Sequence, residues 1–485
     1  MTTSQPAPTP EGWETVVGLE VHAELATETK MFSAAPNKFG NEPNTNIDPV
    51  SLGLPGSLPV LNEKAVELAI RLGLALECTV QPSVFARKNY FYPDMPKDFQ
   101  ISQYDQPINV EGSLELPSGK RVRIERAHLE EDTGKSTHVG ASGRISGAEH
   151  SIVDYNRAGV PLLEIVSGPD MRSAEEARQY VSELRAILVA TGVSDGKMEE
   201  GSMRVDANVS VRRQGDPQLG TRCEIKNLNS LRSLGRAIDY EARRQVDAVN
   251  AGERIIQQTR HWDEADGRTH AMRSKEEAED YRYFPEPDLV PLAPDDDWIE
   301  WERASLPLLP AARRARLAEA SGVEQSSESV VVVVERGQDD QAIAAIVAGG
   351  DPARVLVHIQ QNLGVPGGDE LDPDRLAALV SLEKSGKLTA TQAKQVLAEM
   401  LTTGESPEVI AKAKGFEAMD ADSLAVVLDE VIAAHPTEWA ALCSGDDKAR
   451  GKLTGFFVGR VMGATDGQSD GKVVKELLAD RAAQA

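Results

Sequence analysis

The sequence predicts an α+β fold, with a sheet-bearing N-terminal part followed by helices. Three observations carry this. Two segments alternate apolar and polar residues with period two, capped amphipathic helices lie among them, and strand signals fade beyond a proline-rich stretch at 285–310.

The first alternating segment is TVVGLEVHAEL. Val17, Leu19, Val21, Ala23 and Leu25 take one face, and Gly18, Glu20, His22 and Glu24 take the other. The second is SMRVDANVSVR, where Met203, Val205, Ala207, Val209 and Val211 oppose Arg204, Asp206, Asn208, Ser210 and Arg212. Sheets with one apolar and one polar face are as a rule antiparallel, so an antiparallel sheet is expected. Among the helices, Asn62 caps EKAVELAIRLGLAL. Ser173 and Glu176 form a capping-box pattern before ARQYVSELRAILVATG, with Gly192 as the stop. Another helix is expected from near Ser230 to near Gly252. Six prolines and a DDD run within 285–310 mark a boundary. Ala- and Leu-rich helices follow, interrupted by a short strand at VVVVV, 330–334. GESPEVIAKAKG, near 404–415, marks a second boundary. The expected organisation is a structureless lead over 1–12, a catalytic domain over 13–294, a helical domain over 295–405 and an all-α tail over 406–485.

Composition excludes several classes. At 485 residues, 40% hydrophobic and 27% charged, the chain reads as an ordinary globular protein. No apolar run approaches the roughly 20 residues of a membrane span, and the N-terminal MTTSQPAPTPEG lacks the basic and apolar regions of a signal peptide. Cys78, Cys223 and Cys443 are too scattered for a disulfide framework or metal knuckle, and a reducing cytoplasm fits. A net charge of −25 argues against nonspecific coating of nucleic acid. The tail differs: residues 441–485 hold seven Lys or Arg against six Asp or Glu.

Chemistry gathers at carboxylates. Glu20 and His22 leave the same strand face and suit a hard divalent cation or a general base; a solvated sheet face is the other reading. RAHLEEDTGKSTH packs His128, Glu130, Glu131 and Asp132 ahead of Gly134 and Lys135. Its GKST resembles the end of a Walker A motif, but the glycine that motif needs five residues earlier is Leu129. Glu164 interrupts the apolar run VPLLEIV, where a carboxylate is costly unless a cation or hydrogen bonds satisfy it; a strand end reaching water is the alternative. Asp206 and Glu224 occupy polar positions of strand-like runs, with Lys226 beside Glu224. Strands carrying such carboxylates can hold Mg²⁺ and bridge it to phosphates, with Lys and Arg neutralising a transferring phosphoryl group. RKNYFYPDMPKDFQISQYDQPI, aromatic with interspersed cations, reads either as a stacking surface for adenine or an RNA end, or as an aromatic core loop.

These pieces, in order, closely resemble the GatB family, the B subunits of bacterial GatCAB amidotransferases. The resemblance runs over nearly the whole chain through VVGLEVHAEL, LGLPGSLPVLN, HLEEDTGKSTH, NRAGVPLLEIVSGPD, KMEEGSMRVDANVSVR, EIKNLNS, EDYRYFPEPDLVPL and GKLTGFFVGRVMGAT. It implies ATP-dependent phosphorylation of the side-chain carboxylate of Glu-tRNA(Gln), and often Asp-tRNA(Asn), followed by amidation. It implies a catalytic cradle related in fold to glutamine synthetase. It also implies a heterotrimer with the amidase A subunit, which releases ammonia from glutamine, and a small C subunit. The chain itself carries no Ser-Ser-Lys amidase signature. Carried over by motif, the acidic pocket is Glu20, His22, Glu131, Glu164, Asp206 and Glu224, with Glu130 adjacent. Glu20, His22, Glu131 and Glu164 are expected to hold Mg²⁺, and Lys88 and Lys226 to contact phosphate. The tail is assigned to tRNA, with Lys448, Arg450, Lys452 and Arg460 as phosphate contacts. One departure is plain. Where many members bind zinc through four cysteines, this chain has Ser33, Ala35, Asp48 and Ser51, so no zinc is expected. The length leaves no room for the inserted domain of the archaeal relative, so the bacterial type is expected. Two rival functions are a stand-alone ligase acting on a small carboxylate and a noncatalytic tRNA-binding scaffold.

Overall fold

The computed structural model describes residues 9–140, 148–272, 281–416, 421–444, 447–465, 469 and 471–484. The chain divides into two units, 1–311 and 312–485. The lead expected over 1–12 lies largely outside the described residues, which begin at Thr9.

The first unit is built on one sheet. Its strands are β1 (Trp13–Glu24), β2 (Thr79–Val80), β3 (Ala86–Asn89), β4 (Phe99–Ser102), β5 (Asn109–Glu115) and β6 (Arg121–Glu131). After a separate hairpin of β7 (Lys135–Val139) and β8 (His150–Asp154) come β9 (Pro161–Ser167), β10 (Met203–Arg213), β11 (Cys223–Lys226), β12 (Thr259–Asp263), β13 (Arg268–Ala271) and β14 (Phe284–Pro285). The order along the sheet is β13-β12-β11-β10-β1-β9-β6-β4-β3-β14, with β5 pairing β6 and β2. Every pair is antiparallel except β11 with β12. The apolar residues of β1 and β10 that alternation picked out are all buried. They pack with α1 (Glu63–Ala75), α2 (Ala174–Ala190) and α3 (Leu231–Asn250) in one core, where each buried Leu or Val contributes about 1.5–3 kcal/mol. The opposite, polar face of the central strands is left for the site.

Local chemistry explains the helix ends. The Asn62 side chain accepts from the Lys64 N–H at 3.0 Å and caps α1. Ser173 caps α2 through the Glu176 N–H, but only half of the capping box forms: the Glu176 carboxylate takes the Arg172 N–H, at 2.6 Å, and Lys120. Gly192 follows α2 at φ +67°, a left-handed conformation that favours glycine. Ser230 caps α3.

Residues 295–311 belong with the sheet. α4 (Asp296–Ser305) packs on α1, and its fully buried Glu302 accepts from Arg71 Nε at 2.9 Å. The sheet-bearing unit therefore runs past 294.

The second unit is helical throughout its described residues: α5 (Pro310–Ser321), α6 (Glu328–Glu335), α7 (Asp339–Val347), α8 (Pro352–Asn362), α9 (Pro373–Lys384), α10 (Ala390–Thr403), α11 (Pro407–Ala413), α12 (Ala421–Ala434), α13 (Pro436–Ser444), α14 (Asp447–Ala464) and α15 (Gly471–Gln484). The strand expected at 330–334 is wrong, because those valines form α6. Val330, Val333 and Val334 point into the core at helical spacing, and Ser327 caps the helix. β-branching costs a helix only tenths of a kcal/mol per residue, so burial of one face overrides it. Two apolar cores form in this unit, one over Leu317–Ala411 and one over Leu424–Leu478. Ile410 and Ala411 of α11 belong to the first, so the boundary near 404–415 falls after α11 rather than at 406.

Candidate active site

The register of the central strands assembles the site. β1 places Glu20 opposite Asp206 and His22 opposite Arg204 on β10, while on its other side His22 faces Glu164 of β9. Glu164 in turn faces His128 of β6. Three strands thereby bring His22, Glu164, His128 and Glu130 together, although they span 142 positions of sequence from 22 to 164.

Glu164 lies mid-strand, 16% exposed, so it does not reach water at a strand end. His22 Nε2 stands 3.5 Å from one Glu164 oxygen and 3.7 Å from Glu130. His128 Nε2 is 3.7 Å from Glu164, and Arg126 is 3.8 Å from its other oxygen. The ionisations follow. Burial raises the Glu164 pKa, but the His22 hydrogen bond and the charges of His128, His22 and Arg126 outweigh it and hold the carboxylate well below its usual range. Burial, then the charge on Glu164, pushes Glu130 up. Burial opposes charge on His22, yet Glu164 and Glu130 raise it. Burial drives His128 down to about 4, and its Nδ1 has no partner among the described residues.

One donor atom from each of His22, Glu130 and Glu164 lies within 4.8 Å of the others. An imidazole and two crowded carboxylates, one with a raised pKa, fit a divalent cation, whose charge would relieve the crowding. His22 and Glu130 line a cleft of about 360 Å³, together with Gln100, Arg204, Asp206 and Lys226, and Glu164 stands behind His22.

Other expected residues sit differently. Glu131 follows Glu130 on a strand and so points to the opposite face. There it is buried, accepting from Lys97 Nζ at 2.5 Å and from the Ile101 N–H at 2.9 Å. It is a structural ion pair, and the expectation that it joins the cation ligands gives way to Glu130. Glu20 is on the correct face but one pair along, accepting from Asn208 at 3.0 Å, and burial, then Glu164 and Glu224, raise its pKa. Lys226 bridges Asp206 and Glu224, each at 2.8 Å, and Thr259 holds the other Glu224 oxygen. That bridge leaves Asp206 and Glu224 as a shoulder of the pocket with one net negative charge and ties Lys226 down. Lys88 lies 4.8 Å from the centre of the Tyr281 ring, and its charge acts on Glu130 and His128.

Sequence reasoning misses Arg204, Arg126 and the tyrosines of 281–283. Arg204 donates to Asp132 at 2.7 Å and lines the cleft. The polar alternation of β10 is its only signal. Tyr104 stacks on Tyr283 at 3.9 Å and Tyr90 on Tyr92 at 4.6 Å. Phe91 is 70% exposed, so the aromatic run is a surface shelf and not a core loop. GKST opens β7 rather than a helix, consistent with its not being a phosphate loop. Of Ser33, Ala35, Asp48 and Ser51, the Asp48 and Ser51 side chains take each other's backbone N–H groups at 2.8–2.9 Å, and none of the four carries a thiol. In the tail, Lys452 and Arg460 are exposed on α14, Arg460 lying 5.2 Å from the centre of the Phe456 ring. The side chains of Lys448 and Arg450 lie outside the described residues.

A sheet whose buried imidazoles and carboxylates front a cleft, backed by helices, defines an α+β catalytic domain. Residues 15–300 match the family described as the GatB/GatE catalytic domain, and residues 354–481 match the GatB domain. A relative from Thermosynechococcus vestitus is 46% identical over 500 residues, covering 98% of this chain and 99% of its own length. One from Rhodococcus erythropolis is 50% identical over 486 residues, covering 96% and 95%. Both are named as the B subunit of aspartyl/glutamyl-tRNA(Asn/Gln) amidotransferase. The chain belongs to the GatB family.

Proposed function

We propose that the sheet unit activates the side-chain carboxylate of mischarged Glu-tRNA(Gln), Asp-tRNA(Asn) or both with ATP, for amidation by ammonia from a partner amidase. The wider role, the B subunit of a tRNA-dependent amidotransferase, follows from the family. The observation that carries the finer reading is the convergence of donor atoms of His22, Glu130 and Glu164 within 4.8 Å of one another, beside a cleft that His22 and Glu130 line. A carboxylate oxygen attacks the γ-phosphorus and ADP leaves. Ammonia then attacks the acyl carbon, and phosphate leaves. His22, Glu130 and Glu164 would hold Mg²⁺, which supplies charge neutralisation at the phosphoryl oxygens. Arg204 and Lys88 add positive charge beside the cluster. Glu20, Asp206 and Glu224 shape its edge, with Lys226 paired to the latter two. Serine, alanine and aspartate at the cysteine positions do not suit zinc, and no zinc is assigned.

The fold relation to glutamine synthetase, the A and C subunits as partners and a cytoplasmic location belong to the same proposal. No described helix is long and apolar enough to cross a membrane. Exposed Lys452 and Arg460 support tRNA contact by the tail.

Glu164→Ala in the reconstituted complex is expected to abolish ATP-dependent phosphorylation while tRNA affinity is kept; unchanged activity refutes the site. Glutamine synthesis by the chain alone from glutamate, ATP and ammonia would instead favour the small-substrate ligase.

A further inference from the structure

The carboxylates around the cleft divide by what already holds them. Glu131 is taken by Lys97 at 2.5 Å and the Ile101 N–H at 2.9 Å, and Asp132 by Arg204 at 2.7 Å and the Thr133 N–H at 2.8 Å. Asp206 and Glu224 share Lys226, each at 2.8 Å. Glu130 and Glu164 differ. Their cationic or imidazole neighbours His22, His128 and Arg126 stand back at 3.5–4.0 Å. The closest approach is His22 to Glu164, and the rest are too long for hydrogen bonds. The lone pairs of these two carboxylates therefore stay open to a cation.

His128 holds a particular place in this set. It pairs in register with Glu164, which pairs on its other side with His22, so the carboxylate lies between two imidazoles in one row across β6, β9 and β1. The donor atoms within 4.8 Å of one another are those of His22, Glu130 and Glu164, and His128 stands outside that group. Yet its Nε2 lies 3.7 Å from Glu164 and 4.0 Å from Glu130. One ring thus faces both carboxylates without joining them as a ligand. The ionised Glu164 can only accept, so Nε2 carries the proton that faces it. Nδ1 is buried with no hydrogen-bond partner among the described residues. The ring is 6% exposed, and the peptide that follows it is locked. Gln103 takes the Leu129 N–H through Oε1 at 2.9 Å and donates its own N–H to the Leu129 carbonyl at 3.2 Å. Groups that orient a cation's ligands act from this kind of place, one step behind the ion.

We propose that His128 is a positioning residue: its Nε2–H orients the Glu164 and Glu130 carboxylates toward the ion whose coordination His22 completes. This rests on the cation reading of the cluster given above. A histidine that only fills the core needs no N–H at Nε2, and that difference separates the two roles.

The probe is Mn²⁺, its binding to the full chain followed by electron paramagnetic resonance. His128→Phe keeps a ring and removes the donor, and is expected to weaken Mn²⁺ binding about 10–100-fold, as loss of such an outer partner does. Glutamine and asparagine then tell the two ring nitrogens apart. The carboxamide of His128→Gln reaches the Nε2 position and should recover most of the affinity, whereas that of His128→Asn stops at the Nδ1 position and should not. This second comparison decides the matter even where His128→Phe does not fold. Wild-type affinity in His128→Phe, or equal affinity in the Gln and Asn variants, overturns the proposal. A wild-type chain that binds no Mn²⁺, or one that binds it as tightly after Glu164→Ala, overturns the cation reading instead, so the two failures are distinct.

Discussion

Glu130 and Glu131 are neighbours with opposite fates, because strand side chains alternate between faces. Glu130 faces His22 and Glu164 in the cleft; Glu131 is buried against Lys97. Substitutions should separate them. Glu130→Gln keeps the shape and removes a carboxylate that Glu164 repels, so amidation should fall at least about 100-fold while thermal stability holds or rises. Glu131→Gln breaks a buried ion pair and should cost about 3–5 kcal/mol. Urea titration beside steady-state amidation reads both. The assignment fails if Glu131→Gln is as stable as wild type or Glu130→Gln as active. The doublet is visible in HLEED, and its phase is legible too, because apolar Ala127 and Leu129 alternate with His128 and Glu130 and put Glu131 in step with the buried face. The family motif, not this alternation, is what pointed to Glu131. Glu164 is legible, because a charge inside VPLLEIV demands a partner.

Among the elements, the three sheet-packed helices are legible from their caps and apolar spacing, and α6 is not. Five valines read as a strand by propensity, yet they fold as a helix because positions 330, 333 and 334 share one buried face. Propensity differs by only tenths of a kcal/mol per residue, whereas burial of a valine is worth more than about 1 kcal/mol. Ser327 caps α6 and directs the chain into it. Ser327→Ala should lower the stability of the helical unit by about 1 kcal/mol. Chemical denaturation of the full chain, following its second transition, checks this; an unchanged midpoint shows that the cap does not hold the helix.

For the whole molecule, the useful cut is after α11 and not before it. Ile410 and Ala411 pack into the core that begins at Leu317. On the proposed function, a chain ending at 416 should keep that core and lose tRNA affinity, with glutamine hydrolysis by the proposed amidase partner intact. A chain ending at 405 should also unfold more easily, because its core loses α11. Filter binding and thermal melting of both truncations test this. Equal tRNA affinity at 416 refutes the role of the tail, and equal melting refutes the placement of the boundary.

The sequence by itself determined the α+β class, the apolar faces of β1 and β10, the capped helices that back them and the carboxylate-rich character of the site. These depend on period, composition and local caps, all of which are written within a few residues. Only the tertiary structure decided that His22, Glu130 and Glu164 meet, and that Glu131 and Lys226 are tied up in ion pairs. Those depend on the register between strands far apart in the chain, where a shift of one residue turns every side chain to the other face.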